Sequence, residues 1–214
     1  MYARLEVGAV LLAAGSGSRL GGKPKPLLEL AGVPLIRRQL IALSGAGVDE
    51  VVVVLGHHAE AIEAAVRDFP VTIVHNPVPD AGQPSSVRIG LQALSPKLDA
   101  VIVALADQPL VSAQDISALI GEFKKRGDAA MVVPRVAGLP GNPVIVEASL
   151  RGEWLAGDVN AACRQWRDDH PDRVHWLDSE NHCYRIDIDT HEDLLRFAER
   201  TGYTLKWPTA LAKV

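Results

Sequence analysis

The residues best suited to chemistry in this chain are three cations in a glycine-rich loop near its start. Arg19, Lys23 and Lys25 stand within residues 15–25, which we name the glycine loop, and the apolar run Ala9–Ala14 leads into it. Glycine has no Cβ, so its backbone N–H group can approach oxyanions closely. A buried strand that delivers such a loop is how α/β proteins hold phosphates. The loop therefore predicts a phosphate-binding site.

The spacing of the glycine loop excludes two well-known phosphate-binding motifs. A Walker A loop requires Ser or Thr directly after its Gly-Lys pair, and here Pro24 takes that place. A dinucleotide fingerprint requires glycine at its first, third and sixth positions; Gly15 and Gly17 fit, but the sixth position is Leu20. Pro24 and Pro26 also disfavour an α-helix directly after the glycines. The loop is therefore expected to bind phosphate in another way.

Three carboxylates are candidates to hold a divalent metal ion beside the loop. Asp107 follows the apolar run Val101–Leu105, so it is expected where open α/β sheets bind ligands, at the carboxyl end of a strand. Asp187 and Asp189 alternate at the end of a short β candidate, Tyr184–Ile188, so only one of them need face the metal. Such carboxylates suit Mg²⁺ shared with phosphate oxygens. A turn-forming role for Asp107 and a helix N-terminal charge for Asp189 stay open.

The candidate set contains cations and carboxylates but no recognisable nucleophile motif. The sequence shows neither a Ser–His–Asp nor a Cys–His pattern, and His57-His58 is predicted to cap a helix or to lie in a solvated turn. Positioning and charge neutralisation are the means by which phosphoryl and nucleotidyl transfer are catalysed. The residues therefore favour that class of reaction.

Composition narrows the class of protein further. The chain has 214 residues, of which 48% are hydrophobic, enough for one sizeable core, and its formal net charge of −4 argues against a sequence-independent nucleic-acid binder. No apolar stretch has the length of a membrane span. Cys163 and Cys183 have no paired spacing and suit a reducing compartment. We therefore expect a cytoplasmic protein with neither nucleic-acid nor membrane partners.

Strand and helix patterns alternate through most of the chain, which implies a parallel sheet with helices on both faces. The predicted early strands are Ala9–Ala14, Glu50–Leu55, Val71–His75, Asp99–Ala104 and Ala129–Pro134. The predicted early helices are Pro34–Ser44, Ala59–Arg67, Ser85–Leu94 and Ser112–Lys125. The alternation fails from about Arg135. The later predictions are a strand at Asn142–Glu147, helices at Ala148–Trp154, Val159–Arg167 and Thr190–Thr201, and short β segments at Arg173–Leu177 and Tyr184–Ile188.

Several of these stretches together resemble the molybdenum-cofactor nucleotidyltransferases. The opening signature reads LLAAGSGSRLGGKPKPLLELAGVPLI, and the similarity continues through VVVVLG, HNPVPDAGQPSSVRIGL, ALADQPLV, GLPGNPVIV and YRIDIDTHEDL, nearly the whole chain. Within that family, Ala13-Ala14-Gly15 in place of Ala-Gly-Gly, the Gly-x-x-Ser-Ser-Val pattern and the closing Asp-Ile-Asp-Thr resemble the molybdenum cofactor cytidylyltransferases. Asn142 departs from that pattern, since the cytidylyltransferases often carry His there.

The resemblance implies an α/β fold of the three-layer, Rossmann-like nucleotidyltransferase type, with a mostly parallel sheet and helices on both faces. It implies one domain over residues 1–214, with a nucleotide-binding half at 1–134 and, at 135–214, an acceptor-binding half with a closing helix. The implied reaction is Mg²⁺-dependent transfer of CMP from CTP to the terminal phosphate of molybdopterin cofactor, with release of pyrophosphate. A recipient molybdenum hydroxylase or its chaperone is the implied partner.

Residue roles follow from the same resemblance. Lys25 would contact the α-phosphate, Arg19 the triphosphate, and Ser86 with the Gly82 segment the cytosine. The implied catalytic residues are Arg19, Lys25 and Asp107. The implied nucleotide-binding residues are Ala13, Ala14, Gly15, Gly17, Arg19, Lys25, Gly82, Ser86 and Asp107. The implied metal ligands are Asp107 with Asp187 or Asp189.

Two alternatives stay open at this point. The chain could transfer GMP or another nucleotide to a different phosphorylated acceptor. It could also be a repurposed relative, either a nucleotide-binding accessory protein or a nicotinamide-dependent reductase. The presence of Arg19, Lys25 and Asp107 argues against loss of transferase chemistry, and the missing GxGxxG argues against ordinary dinucleotide binding.

Overall fold

The computed structural model describes residues 4–156 and 163–212. Its strands are β1 (Val7–Ala13), β2 (Glu29–Leu30), β3 (Val33–Pro34), β4 (Glu50–Leu55), β5 (Thr72–His75), β6 (Ala100–Leu105), β7 (Met131–Val136), β8 (Leu139–Pro140), β9 (Val144–Glu147), β10 (Val174–Asp178) and β11 (Leu205–Lys206). Its α-helices are α1 (Leu35–Gly45), α2 (Ala59–Val66), α3 (Gln83–Ala93), α4 (Ala113–Phe123), α5 (Leu150–Ala156), α6 (Cys163–Asp169), α7 (His191–Thr201) and α8 (Thr209–Ala212). Among these residues no helix has the length and apolar character needed to cross a membrane.

A mostly parallel sheet forms the middle layer. Its strand order is β10-β7-β9-β6-β1-β4-β5, with β8 paired to β7. Strand β1 lies in parallel between β4 and β6, and β5 continues in parallel beyond β4. Strand β9 runs antiparallel to both β6 and β7, so it is the exception in the main path. The predicted fold class, a mostly parallel sheet with helices on both faces, is confirmed.

The two faces of the sheet are covered by different helices. Every residue of β1 is buried, and successive side chains of a strand point to opposite faces. Ala9 and Leu11 pack in one core with residues of α1, α2 and α4. Val10 and Leu12 pack in another core with residues of α3, α5 and α6. Burial on both faces explains why β1 and β4 are continuous apolar runs in the sequence.

A small second sheet anchors the long segment between β1 and α1. Strands β11, β2 and β3 form a three-stranded antiparallel sheet. Leu28 and Leu30 from this segment pack with Ile188 and with Phe197 of α7. The sequence predicted a phosphate-binding loop at residues 15–25 but none of these short elements. The packing brings the end of the chain back onto the glycine loop.

One predicted strand is wrong. Residues His182–Arg185 form a 3-10 helix, whereas Tyr184–Ile188 was expected to be β structure. Asn181 caps this turn by accepting from the backbone N–H of Cys183, and the hydroxyl of buried Tyr184 donates to the Asp115 carbonyl. Side-chain contacts and isolated backbone hydrogen bonds, from Asn142 to Tyr184 and from Ile188 to Asp107, therefore hold the segment in place of a strand partner. The predicted helix Val159–Arg167 starts outside the described residues.

Candidate active site

The glycine loop folds back on itself at the end of β1. Gly17 has a φ of 64°, and a Cβ there would lie 1.9 Å from the backbone oxygen of Lys23, so this position requires glycine. The backbone N–H groups of Leu20 and Gly22 donate to the Gly17 carbonyl over 2.8 and 3.0 Å. The buried side chain of Leu20 packs with residues of β2, α7 and β11. These contacts give the loop a defined shape.

Lys25 lies between two carboxylates from distant parts of the chain. Its Nζ donates to Asp107 Oδ2 and to Asp189 Oδ1, each over 2.6 Å. Arg19 pairs with the other oxygen of Asp189 over 2.8 Å. Burial alone would lower the pKa of Lys25, but the charge of Asp107 and hydrogen bonds to both carboxylates raise it overall. Lys25 is therefore a charged ammonium group at neutral pH.

The two carboxylates are aimed into the cleft by their strand and helix ends. Asp107 follows β6, and its backbone carbonyl accepts from the N–H of Ile188 over 3.3 Å. Asp189 immediately precedes Thr190, the N-cap residue of α7. The side chain of Asp189 binds Lys25 and Arg19, so it does more than supply negative charge at the start of a helix.

Asp187 adds a third carboxylate to the same cleft. Burial of its carboxyl, together with the charges of Asp107 and Asp189, raises its pKa above the usual value. One oxygen of Asp107, Oδ1, is buried with no hydrogen-bond partner among the described residues. A buried carboxylate oxygen without a donor suits a hard cation.

These carboxylates fit a metal that arrives with its phosphate ligand. Among the described residues, no group of three or more His, Cys, Asp or Glu residues forms a ready-made metal site. Mg²⁺ is usually held by one or two carboxylates plus substrate phosphates and waters. Asp107, with Asp187 or Asp189, would supply that number of protein ligands.

The opposite wall of the cleft comes from the loop before α3. Gly82 and Ser86 line it, together with Pro79 and Gln83. Ser86 is buried, and its hydroxyl accepts from the side-chain amide of Asn76 over 2.9 Å. Asn76 also donates to the Ser85 hydroxyl over 2.8 Å. Asn76 was not predicted as a site residue, although its place directly after a predicted strand was a usable signal.

All the residues implied by the resemblance lie along one continuous surface. A cavity of about 300 Å³ forms the cleft, a size at the lower end of the range for ligand pockets. The implied residues that line it are Ala13, Ala14, Gly15, Lys25, Gly82, Ser86, Asp107, Asp187 and Asp189. Gly17 and Arg19 line an adjoining recess of about 170 Å³, which shares Gly15, Lys25 and Asp189 with the cleft.

The His57-His58 turn joins the glycine loop to the loop before α3. His58 Nε2 lies 3.1 Å from the carbonyl oxygen of Ser16 in the glycine loop. His57 Nε2 lies 2.9 Å from Asp80 Oδ1 in the loop before α3. The expectation of a turn is confirmed, because His58 is the residue that precedes α2, whereas its side chain makes no capping hydrogen bond to that helix. The additional role in joining the loops was not predicted.

Gln108 is a second residue that sequence reasoning missed. It is buried, and its side-chain amide donates to the carbonyls of Asn142 and Tyr184, each over 3.2 Å. Its own carbonyl accepts from Gln39 over 2.5 Å. These bonds fix the chain directly after Asp107. The signal available in the sequence was the polar residue between Asp107 and Pro109, at the end of an apolar strand.

This fold and this cleft are those of a Rossmann-like nucleotidyltransferase. The model of the MobA-like NTP transferase domain matches residues 9–174. The chain belongs to the MobA-like NTP transferase family, which confirms the predicted nucleotidyltransferase family.

The similar proteins carry names that describe different activities. Nicotine blue oxidoreductase of Paenarthrobacter nicotinovorans is 33% identical over 198 residues, covering 89% of this chain and 95% of that protein. Among solved structures, Rv0371c of Mycobacterium tuberculosis has a TM-score of 0.75 at 27% identity, over 91% of this chain and 98% of that one. A nucleotidyl transferase from Methanothermobacter thermautotroptrophicus has a TM-score of 0.73 at 29% identity, over 91% of this chain and 97% of that one. Rv0371c has also been solved with manganese.

Proposed function

We propose that this protein transfers CMP from CTP to the terminal phosphate of molybdopterin cofactor, with Mg²⁺ as its metal and pyrophosphate as the second product. The observation that carries the proposal is Lys25, a charged ammonium group held between Asp107 and Asp189 at the end of the glycine loop. Nucleotidyl transfer needs this combination of cation and metal-binding carboxylates. The choice of CTP rests on the Ala13-Ala14-Gly15 pattern, and the choice of acceptor rests on the resemblance described above.

In this proposal the protein acts by alignment and charge neutralisation. Backbone N–H groups of the glycine loop and Arg19 bind the triphosphate, and Lys25 neutralises the charge that grows on the α-phosphate. Asp107, with Asp187 or Asp189, would hold Mg²⁺, which when bound supplies further positive charge to the phosphate oxygens. An oxygen of the acceptor phosphate bonds to the α-phosphorus while the bond to the bridging oxygen breaks. The acceptor phosphate is already an anion, so no general base is required.

The test is a measurement of pyrophosphate release with purified molybdopterin and each of the four NTPs in turn. We expect release with CTP, dependent on Mg²⁺. Release with GTP alone would overturn the choice of base, and release only with another phosphorylated acceptor would overturn molybdopterin. The absence of release with every NTP and acceptor would overturn nucleotidyl transfer itself.

Nicotinamide-dependent reduction is a second candidate because of one specific comparison. Nicotine blue oxidoreductase is 33% identical to this chain over nearly the full length of both proteins. Hydride transfer, however, does not require an ammonium group between two carboxylates. Titration with NADH and NADPH, followed by fluorescence, separates the candidates. The transferase proposal predicts that CTP displaces any NADH or NADPH that binds saturably. Oxidation of either cofactor by a dye acceptor would favour the reductase.

A further inference from the structure

A second cavity, lined by three arginines, adjoins the cleft. Its volume is about 190 Å³, equal to about six waters at the density of the liquid. The residues that line it are Arg185, Ile186, Asp187, Asp193, Arg196, Phe197 and Arg200. Asp187 lines both this cavity and the cleft, so a group bound in one lies next to the other. We name it the arginine cavity.

We propose that the arginine cavity holds the attacking phosphate of the acceptor before transfer, with Arg185 and Arg200 as its ligands. The proposal rests on the proposed function, in that the bound group belongs to the second substrate. Lys25 and Arg19 are committed to the carboxylates and to the triphosphate, so an incoming phosphate needs other cations. Guanidinium groups bind phosphate oxygens through paired, charge-assisted hydrogen bonds.

The arginines of the cavity differ in whether they already form an ion pair. Arg196 pairs with Glu192 over 2.5 Å, one turn earlier on α7. Arg185 and Arg200 form no hydrogen bond and no ion pair with any residue that the structure describes. Elsewhere, Arg37 and Arg135 each bind a carboxylate through two nitrogens. Two unpaired guanidinium groups in one cavity of an acidic protein are therefore open to an anion.

Helix chemistry explains only part of this arrangement. Arg200 lies in the last turn of α7, where a cation is favoured by the helix dipole. Arg185 comes from the separate 3-10 helix His182–Arg185 and gains nothing from α7. Two elements thus contribute one free cation each to the same space.

The carboxylates of the cavity do not cancel these cations. Asp193 Oδ2 accepts from the backbone N–H and the hydroxyl of Thr190, each over 2.8 Å, in the capping box of α7. Asp187 lines the cleft as well and is one of the candidate metal ligands. Asp193 therefore already has partners, and Asp187 would turn to the metal once the metal is bound, so that Arg185 and Arg200 are left for the phosphate.

The test uses inorganic phosphate as the probe and calorimetric titration as the readout. The protein is first saturated with Mg²⁺ and CTP, so that phosphate cannot enter the cleft. The double variant Arg185→Gln/Arg200→Gln is expected to weaken phosphate binding at least tenfold and to change the Kd of CTP less than twofold. A charge-matched control is Lys97→Gln/Lys124→Gln, which removes two exposed cations that line neither cavity. The control is expected to bind phosphate like the wild type.

Turnover gives a second readout that a purely structural role would not move. In the arginine variants the KM for the acceptor is expected to rise at least tenfold while the KM for CTP stays unchanged. Each single variant should show an intermediate effect, which covers the case in which the double variant fails to fold. No phosphate binding to the CTP-loaded wild type, or equal weakening in the lysine control, would overturn the proposal.

A failure of the proposed function can be told apart from a failure of this inference. If CTP does not bind, the same titration is done in an Arg19→Ala/Lys25→Ala background, in which the cleft lacks its own phosphate-binding cations. Phosphate binding there that disappears with Arg185→Gln/Arg200→Gln supports the arginine cavity on its own. Binding that persists in the fourfold variant overturns it.

Discussion

Replacement of Lys25 by alanine is the sharpest perturbation that the site offers. The substitution removes an Nζ atom that lies 2.6 Å from Asp107 Oδ2 and 2.6 Å from Asp189 Oδ1. We expect kcat to fall about a hundredfold to a thousandfold, the usual loss when one preorganised donor to a developing charge is removed. The protein should remain folded, because the side chains of Lys25, Asp107 and Asp189 are only partly buried.

The cost in stability follows from the exposure of the charges involved. The side chains of Lys25, Asp107 and Asp189 are 15%, 19% and 29% exposed, so water can partly solvate the carboxylates left behind. Asp189 also keeps its ion pair with Arg19. The loss of charge-assisted hydrogen bonds at such a site lowers the free energy of unfolding by about 1–3 kcal/mol. A typical domain has a free energy of unfolding of about 5–15 kcal/mol, so the variant should stay folded.

Lys23→Ala is the matched control, because Lys23 is a cation of the same loop with different contacts. Its Nζ donates to the carbonyl of Leu211 over 2.9 Å and lies 5.7 Å from the ring centre of Trp207. Pyrophosphate release at saturating CTP and acceptor is measured for both variants, and circular dichroism follows their thermal unfolding. We expect the control to keep a rate within a few-fold of the wild type.

Metal binding gives a readout that does not depend on turnover. The ammonium group of Lys25 binds one oxygen of each carboxylate and repels a second cation, so its removal should let Mn²⁺ alone bind more tightly, by about tenfold or more, while CTP binds more weakly. Calorimetric titrations measure both affinities. A Lys25→Ala protein with near-normal kcat, equal losses in the Lys23 control, or unchanged Mn²⁺ affinity would refute the reasoning about Lys25.

Three other perturbations test the close packing at Gly56, the helix capping by Asp193 and the burial of Cys183. Gly56→Ala would place a Cβ 2.7 Å from the Cβ of Pro79 and 2.8 Å from the carbonyl oxygen of Ala14, so we expect a loss of about 1–3 kcal/mol in urea unfolding and weaker CTP binding. Asp193→Asn should cost about 1 kcal/mol at neutral pH. Burial would raise the pKa of Asp193, but its hydrogen bonds lower it overall; the stabilisation is therefore present above the usual pKa and is lost as the pH falls through the lowered value. Burial, with the charge of Asp115, raises the pKa of Cys183 to about 12, so alkylation of the folded protein should be about a thousandfold slower than that of the unfolded chain.

Each of these has an outcome that would contradict it. Gly121→Ala is the control for Gly56→Ala, since a Cβ at Gly121 meets nothing within 4 Å and should stabilise α4 slightly. If both alanine variants behave alike, the crowding argument at Gly56 is wrong. A stability difference for Asp193→Asn that persists at strongly acidic pH would contradict the pKa argument. Equal alkylation rates in folded and unfolded protein would contradict the burial of Cys183.

Local signals in the sequence were strong enough to predict much of the fold. Strand β4 has the predicted bounds, Glu50–Leu55, because an unbroken β-branched run is typical of a strand buried on both faces. The start of α7 agrees with the predicted helix Thr190–Thr201, because Thr190 is its N-cap and both reciprocal bonds of a capping box form with Asp193. The predicted helix Ser112–Lys125 likewise begins at Ser112, which is the N-cap of α4.

The errors lie where tertiary contacts decide the local structure. The short β pattern of Tyr184–Ile188 yields to a 3-10 turn because Tyr184 is anchored to Asp115 across the molecule. The second sheet was not predicted, since its strands are two residues each and β11 is separated from β2 and β3 by most of the chain. The bridging of Asp107 and Asp189 by Lys25 spans 82 and 164 residues of sequence. The residue types indicated the chemistry, but only the folded structure shows which of these residues contact one another.

The pairing has a consequence for how substrates enter. Without substrate, Lys25 and Arg19 bind Asp107 and Asp189, two of the three carboxylates that we propose as metal ligands, so these charges neutralise one another. A metal ion alone must displace an ammonium group, and a triphosphate alone must draw Lys25 away from two carboxylates. A metal–nucleotide complex lets both exchanges occur together, because the cations pass to the phosphates as the carboxylates pass to the metal. Since coupling between two ligands is reciprocal, each should strengthen the binding of the other, and the charge network around Lys25 is the physical source of that coupling.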